Sequence, residues 1–325
     1  MRSGMKTKIA VIGAGVMGAN HSRAVAQGLD TELACVVDFD MPKAEQVASR
    51  FGSAAYSTLD EAIEKQKIDG IVIATTTASH AVIAKDVIER QIPLMVEKPI
   101  TDELSVTREI LEFAGSRNVP IMCGFVERFN PAVRTALGML DEPMKHFMSV
   151  RHSPVNPRAT ASVVYDLLIH DIDAALSFHQ RIDDVTAVSA VNWTPKGTDV
   201  DEIADCVLKF ADGSVASLSA SRQGQRKIRD IRVITETHLF EIDLLRVNVT
   251  VYKNVMQEVV ETSGTTSYRA ETIIDMPFVR HEGEPLALQM RHFQGLITGE
   301  VDATQELNSL LLPHTIADAV IKCSN

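Results

Sequence analysis

The first third of the chain alternates short apolar runs with stretches of helical periodicity. Ile9–Ile12 is an apolar run ending at glycines and reads as a buried strand, with a helix expected through Gly18 to Gln27. Glu32–Val37 reads as the next strand, ending at Asp38, and helical patterning returns over Pro42–Phe51 and Leu59–Lys65. Ile68–Ala74 is a further buried strand, followed by a polar loop to His80 and a helix to Arg90. Pro93–Glu97, a helix over Asp102–Arg117 and the run Pro120–Cys123 complete the series. Strands alternating with helices of this length predict an α/β unit, a parallel sheet covered on both faces.

After Gly124 the pattern changes. Helices are expected over Asn130–Leu140 and Val164–His179, then strands over Val185–Asn192, Ala204–Phe210, Val215–Ser221, Ile231–Thr235, Leu239–Asp243 and Val247–Tyr252. Asp212-Gly213 supplies a hairpin turn, because this pair readily takes positive φ. Thr235–Thr237 falls where a turn belongs, without the usual glycine. Leu286–Thr298 and Glu306–Cys323 read as helices. The expected second domain is α+β, with an open, mainly antiparallel sheet and helices on one face. The boundaries drawn are 1–124 and 125–325, with the C-terminal helix packing back on the first domain.

Composition narrows the class. The 325 residues are 45% hydrophobic and 23% charged, ordinary for a globular protein. A formal charge of −11 and the lack of a basic stripe disfavour nucleic acid and anionic membrane as partners. Cys35, Cys123, Cys206 and Cys323 are too widely spaced for a zinc site or a disulfide framework, so buried thiols in a reducing cytoplasm are expected. No apolar run is long enough to span a membrane. Arg2, Lys6 and Lys8 before an apolar stretch imitate a signal peptide, but Gly13, Gly15 and Gly18 suit a strand and turn better.

Gly13-Ala14-Gly15-Val16-Met17-Gly18 is a GxGxxG sequence between an expected strand and an expected helix, the context that dinucleotide binding requires. The first glycine permits the tight turn, the second lets backbone approach a pyrophosphate, and the third allows close packing of helix on strand. The helix N-terminus then offers N–H groups to phosphate. This makes 1–124 a Rossmann domain. Asp38, ending the second strand, is placed to accept from both adenosine ribose hydroxyls and to repel a 2′-phosphate, which favours NAD over NADP. Lys43 is the one nearby cation that weakens this argument.

Glu97-Lys98-Pro99 stands at a strand end, the edge where open α/β sheets bind ligands. Lys98 there is either a surface lysine or a contact to nicotinamide ribose and the reacting hydroxyl. In a continuous helix Asp166, His170 and Asp173 form one stripe. A histidine between carboxylates suits acid–base work on an alcohol. A plain polar helix face and a metal site are the competing readings, the latter without a convincing fourth ligand. No GxSxG elbow supports a hydrolase.

Together these residues resemble the Gfo/Idh/MocA family of oxidoreductases over nearly the whole chain. The likeness lies in the GxGxxG turn, the Glu-Lys-Pro tripeptide, an aspartate four residues before a histidine, and the Ala74–His80 loop. Thr76 departs from the family's usual proline. The resemblance implies that Lys98 positions and polarises the substrate hydroxyl, that His170 acts as acid–base, and that Asp166 orients substrate or tunes the pair. It extends the cofactor set of Gly13, Gly15, Val16, Met17, Gly18 and Asp38 to Thr75, His80, Glu97 and Lys98. It also implies a homodimer or homotetramer formed through the C-terminal sheet.

Gly124–Ala132 resembles the segment of the family's UDP-N-acetylglucosamine 3-dehydrogenases. Arg128 is either a phosphate contact or half of a structural ion pair, and Asn130 either a substrate contact or a helix cap before Pro131. Arg151, His152 and Arg158 offer further phosphate contacts or are solvated loop charges. The expected activity is hydride transfer at a secondary hydroxyl of a sugar or nucleotide sugar, C3 of a UDP-amino sugar among them. Inositol or a free aldose is the alternative substrate, and a non-catalytic NAD-binding redox sensor the alternative of another class. A sensor has no use for Lys98, Asp166 and His170.

Overall fold

A computed structural model describes residues 6–156, 161–180, 185–260, 266–280 and 282–323. Arg158 lies outside them. The chain divides into two compact units, Met1–Phe129 with Gly283–Asp318, and Asn130–Glu282 with Ala319–Asn325.

In the first unit the alternation reads out as β1 (Thr7–Ile12), α1 (Val16–Gln27), β2 (Thr31–Val37), α2 (Met41–Ala48), β3 (Ala54–Tyr56), α3 (Leu59–Lys65), β4 (Gly70–Ile73), α4 (Thr77–Glu89), β5 (Leu94–Val96), α5 (Leu104–Arg117) and β6 (Ile121–Cys123). The six strands pair in the order β3-β2-β1-β4-β5-β6, all parallel. Central strands covered on both faces must be apolar throughout, and β4 and β5 are buried at every position. The strand order reverses between β1 and β4, so the loops after these strands flank a natural ligand crevice.

The second unit begins with α6 (Pro131–Met139) and β7 (His146–His152). A π-helical turn over Val164–Leu168 leads into α7 (Ile169–His179). Then follow β8 (Val185–Trp193), β9 (Ile203–Phe210), β10 (Val215–Ser221), β11 (Ile228–Ile234), β12 (His238–Asp243), β13 (Asn248–Val260) and β14 (Thr266–Asp275). The sheet order is β14-β13-β12-β11-β7-β10-β9-β8, antiparallel except where β10 meets β7. Alternation marks its two faces. Along β9, Ala204, Cys206, Leu208 and Phe210 are buried while Asp205, Val207 and Lys209 are exposed.

Helices α8 (Pro285–Thr298), α9 (Ala303–Asn308) and α10 (Leu311–Lys322) close the chain. Through Leu286, Met290, Phe293 and Leu296, α8 joins the core of Val11, Val25, Val72, Met95 and Met122 in the first unit. Gly70 makes room for it, since a Cβ there would stand 2.5 Å from Ile297 Cδ1.

Several expectations are corrected. Strands β3, β7 and β14 were not foreseen. β3 is three residues on an edge, and the pattern of β7 is broken by inward-facing Arg151 and Ser149. The single helix expected over Glu306–Cys323 is two, because Pro313 has no N–H to offer the Ser309 carbonyl. Cys35, Cys123 and Cys206 are buried but Cys323 is exposed. The glycine-free turn is stapled by Glu142, whose carboxylate accepts from Thr235 Oγ1 at 2.6 Å, Thr237 Oγ1 at 2.7 Å and Thr237 N at 3.0 Å. These bonds hold the Glu142 carboxyl down at about 2. Among the described residues no helix is long and apolar enough to cross a membrane.

Candidate active site

The glycine turn is shaped by contacts that leave no room for side chains. Gly13 has φ +103°, and a Cβ there would lie 2.5 Å from the Ala74 carbonyl oxygen. A Cβ on Gly18 would come within 1.7 Å of the Gly13 carbonyl oxygen. Nothing lies within 4 Å of the Gly15 position, Val16 is 82% exposed, and the α1 N-terminus has no side-chain cap. Open space before uncapped amides fits a pyrophosphate.

Asp38 follows β2 and holds this turn. Its Oδ2 accepts from Ala14 N at 2.7 Å and its Oδ1 from Asp40 N at 2.9 Å. Each carboxylate oxygen keeps a second lone pair, the capacity a ribose hydroxyl needs. Lys43 forms an ion pair with Asp40 at 2.7 Å, which answers its charge locally.

After β5, Glu97 is buried and its Oε1 meets His21 Nε2 at 2.6 Å. Gly124 leaves the space it fills, for a Cβ there would stand 2.9 Å from Glu97 Oε2. Burial pushes the Glu97 carboxyl upward, but the His21 hydrogen bond and the charges of His21 and Lys98 outweigh it and hold it below the usual range. Glu97 Oε2 accepts from Lys98 N at 3.2 Å. His80, from α4, is buried, with Nδ1 3.0 Å from the Pro99 carbonyl and Nε2 3.3 Å from that of Thr75. The Lys98–Pro99 peptide is cis. Gly13, Gly15, Val16, Met17, Gly18, Asp38, Thr75, His80, Glu97 and Lys98 thus stand at one carboxyl edge of one sheet.

In the second unit the π turn carries Asp166, and α7 begins only at Ile169. Asp166 and His170 therefore do not share the register of a continuous α-helix, which corrects the expected stripe. His170 is buried and Asp166 half-buried. Arg222, almost wholly buried, reaches Asp166 Oδ2 at 3.2 Å and grips Glu202 through Nε at 3.1 Å and Nη2 at 2.9 Å. Arg151 is also buried, in a two-point bond to Asp171 at 2.7 and 3.0 Å, and is not a loop charge.

Arg128 and Asn130 are engaged elsewhere. The Arg128 guanidinium lies over the Phe125 ring at 5.0 Å, reaches Glu306 at 3.3 Å, and donates to Ser309 Oγ at 2.9 Å and the Ser309 carbonyl at 3.4 Å. Asn130 Oδ1 caps α6 by accepting from Ala132 N at 3.0 Å, and its Nδ2 donates to the Leu244 carbonyl at 3.3 Å. Sequence reasoning missed His21, Arg222 and Glu202, because none stands in a motif. Among the described residues Asp141, Glu142 and His238 could converge on a cation, but Glu142 is taken up by the threonine turn.

A parallel sheet of this order, with an uncapped helix after β1 and a carboxylate after β2, defines a dinucleotide-binding Rossmann fold. Residues 7–125 match the family model described as an oxidoreductase family with an NAD-binding Rossmann fold. Residues 143–240 match the model of the GFO/IDH/MocA C-terminal domain. The chain belongs to the Gfo/Idh/MocA family and is an NAD-binding oxidoreductase. It is 25% identical over 279 residues to the UDP-N-acetylglucosamine 3-dehydrogenase of Acidithiobacillus ferrooxidans, covering 85% of this chain and 82% of that protein. A solved structure of that enzyme superposes with a TM-score of 0.83 at 23% identity, over 98% of each chain. An inositol 2-dehydrogenase of Rubrobacter xylanophilus is 27% identical over 224 residues, 66% of this chain and 64% of that one.

Proposed function

We propose that the protein oxidises, or in reverse forms, a secondary hydroxyl of a sugar or nucleotide sugar, with C3 of a UDP-amino sugar the leading candidate. The observation that carries the reading is the anchored Glu97-Lys98-Pro99 turn on the same sheet edge as the glycine turn. Bound NAD supplies a hydride acceptor; the chain supplies orientation and proton handling. Lys98 holds and polarises the hydroxyl, His170 takes its proton, and Asp166, steadied by Arg222, orients the substrate. The relative from A. ferrooxidans, similar over most of both chains, supports the sugar class.

One observation favours a substrate without phosphate, such as inositol or a free aldose. Arg128 is committed to Glu306 and Ser309 within its own unit. The test offers the protein UDP-N-acetylglucosamine, myo-inositol and glucose with NAD, then with NADP, and follows reduced-nicotinamide absorbance. Turnover with the nucleotide sugar alone supports the leading candidate. Turnover with the free polyols selects the second, and NAD binding without turnover in either direction defeats both.

We also assign a second copy of the chain to the open face of the eight-stranded sheet. Met148, Val150, Val191, Val207 and Leu218 line a hollow of about 770 Å³ there. Val191 is 76% and Trp193 49% exposed. Val191→Glu with Val207→Glu should convert an oligomer to monomer in sedimentation, and a monomeric wild type would refute the assignment.

A further inference from the structure

The backbone of Glu97–Ile100 is held from three directions by side chains of the first unit. Glu97's own carboxylate takes the Lys98 N–H, and His80 Nδ1 stands 3.0 Å from the Pro99 carbonyl. The third hold comes from far along the chain. Ile100 N donates to His314 Nε2 at 3.0 Å, while His314 Nδ1 lies 2.7 Å from the Leu310 carbonyl. An imidazole whose Nδ1 donates and whose Nε2 accepts is neutral, in a single tautomer. Its surroundings enforce that state. His314 is 1% exposed and packs against Phe125 with ring centroids 5.8 Å apart. Burial, helped by the nearby charge of Arg128 and opposed by the Leu310 hydrogen bond, lowers its pKa to about 4.

A helix needs no histidine here for packing. A leucine would fill the volume, and the Ile100 N–H would then be buried without an acceptor. What the imidazole adds is a fixed strut from α10 to the residue two places after Lys98. We propose that His314 is a positioning residue, which holds the Glu97–Ile100 backbone so that Lys98 meets the substrate hydroxyl at its productive place. The inference rests on the reading of Lys98 given above.

Two polar substitutions separate the bonds. In His314→Gln the amide oxygen falls near the position of Nε2 and can accept from Ile100 N. In His314→Asn the amide reaches Leu310 but not Ile100. A reacting group misplaced by ~1 Å loses up to about 100-fold in rate. The Asn variant should therefore lose about 10- to 100-fold in kcat with the NAD dissociation constant within about threefold of wild type, and Gln should recover most of the loss. In a Lys98→Ala background the Asn substitution should cost less than about twofold, because residues acting through one another are non-additive. Amide hydrogen exchange without cofactor gives a reading independent of turnover: Ile100 N–H stays protected in the wild type and Gln variant and exchanges faster in Asn.

Equal kcat in the Asn and Gln variants, or a full additional loss in the Lys98→Ala background, overturns the positioning role. So does unchanged Ile100 exchange in Asn. Loss of turnover in Lys98→Ala with none in His314→Asn overturns this inference alone. Unimpaired turnover in Lys98→Ala overturns the reading of Lys98 and this role with it.

Discussion

The two regions to which the proposed chemistry is assigned hold their side chains by opposite means. The Glu97–Ile100 turn is held by its backbone, with single hydrogen bonds to one carboxylate and to two imidazoles. The Asp166 turn is held by its charge, through a buried arginine shared with Glu202. A backbone strut fixes where Lys98 starts and leaves its long side chain to adapt. An ion network built on one buried guanidinium fixes the Asp166 carboxylate itself and makes the surrounding fold depend on that group.

The largest effect expected is on turnover. Lys98→Ala and His170→Ala should each lower kcat by about 10²- to 10⁴-fold, the range of a lost acid–base or polarising group, with NAD affinity kept. Stopped assays with the reactive sugar and fluorescence titration of NADH measure the two quantities. If only one variant loses turnover, the two regions do not serve one reaction and the comparison breaks.

Arg222→Met sharpens it on the side of stability. Removing the buried partner of Glu202 and of half-buried Asp166 costs about 3 kcal/mol, the low end for a broken buried pair, which denaturant unfolding reads directly. Glu97→Gln keeps its hydrogen-bonding shape and should cost less, about 1–3 kcal/mol for a charge-assisted bond to His21. An Arg222 variant as stable as wild type would show that Asp166 is not held by charge.

Smaller effects test the edges of the two regions. Asp38→Ala removes a ribose acceptor and the prop of Ala14 N, so NAD affinity should fall about tenfold and discrimination against NADP should shrink. Unchanged preference would place cofactor choice elsewhere. In the second unit Glu142 is a carboxylate held by neutral hydroxyls. Its ordinary value is 4.5 and the folded protein holds it at about 2. The staple's contribution is whole above pH 4.5 and is lost as pH falls through about 2. Glu142→Gln should flatten the acid limb of the stability curve in that window, as followed by unfolding at stepped pH. A limb of unchanged slope would remove the staple from the account.

Much of the first unit was legible because its strands are short apolar runs and its turns carry glycine, both local signals. The cofactor turn could be read from six residues, and Gly13 and Gly18 stand where a Cβ cannot. The segment around His170 was legible only as composition. Periodicity assumed an unbroken α-helix, and the π turn at Val164–Leu168 changed which residues align. For Arg128 and Asn130 the open alternatives were an ion pair and a cap, and the structure contains both: Glu306 pairs the arginine and Ala132 N takes the cap.

By itself the sequence determined the parallel sheet, the glycine turn, the cofactor class and the position of Lys98 at a strand end. Each depends on neighbours within a few residues, where a period of 2 or 3.6 and a turn's φ are visible. Only the tertiary structure decided which groups hold those residues in place. Ile100 and His314 are 214 residues apart, Arg128 and Glu306 178, and Asp166 and Arg222 56. A buried polar atom must find its partner wherever the fold brings one, and nothing local in the chain records that distance.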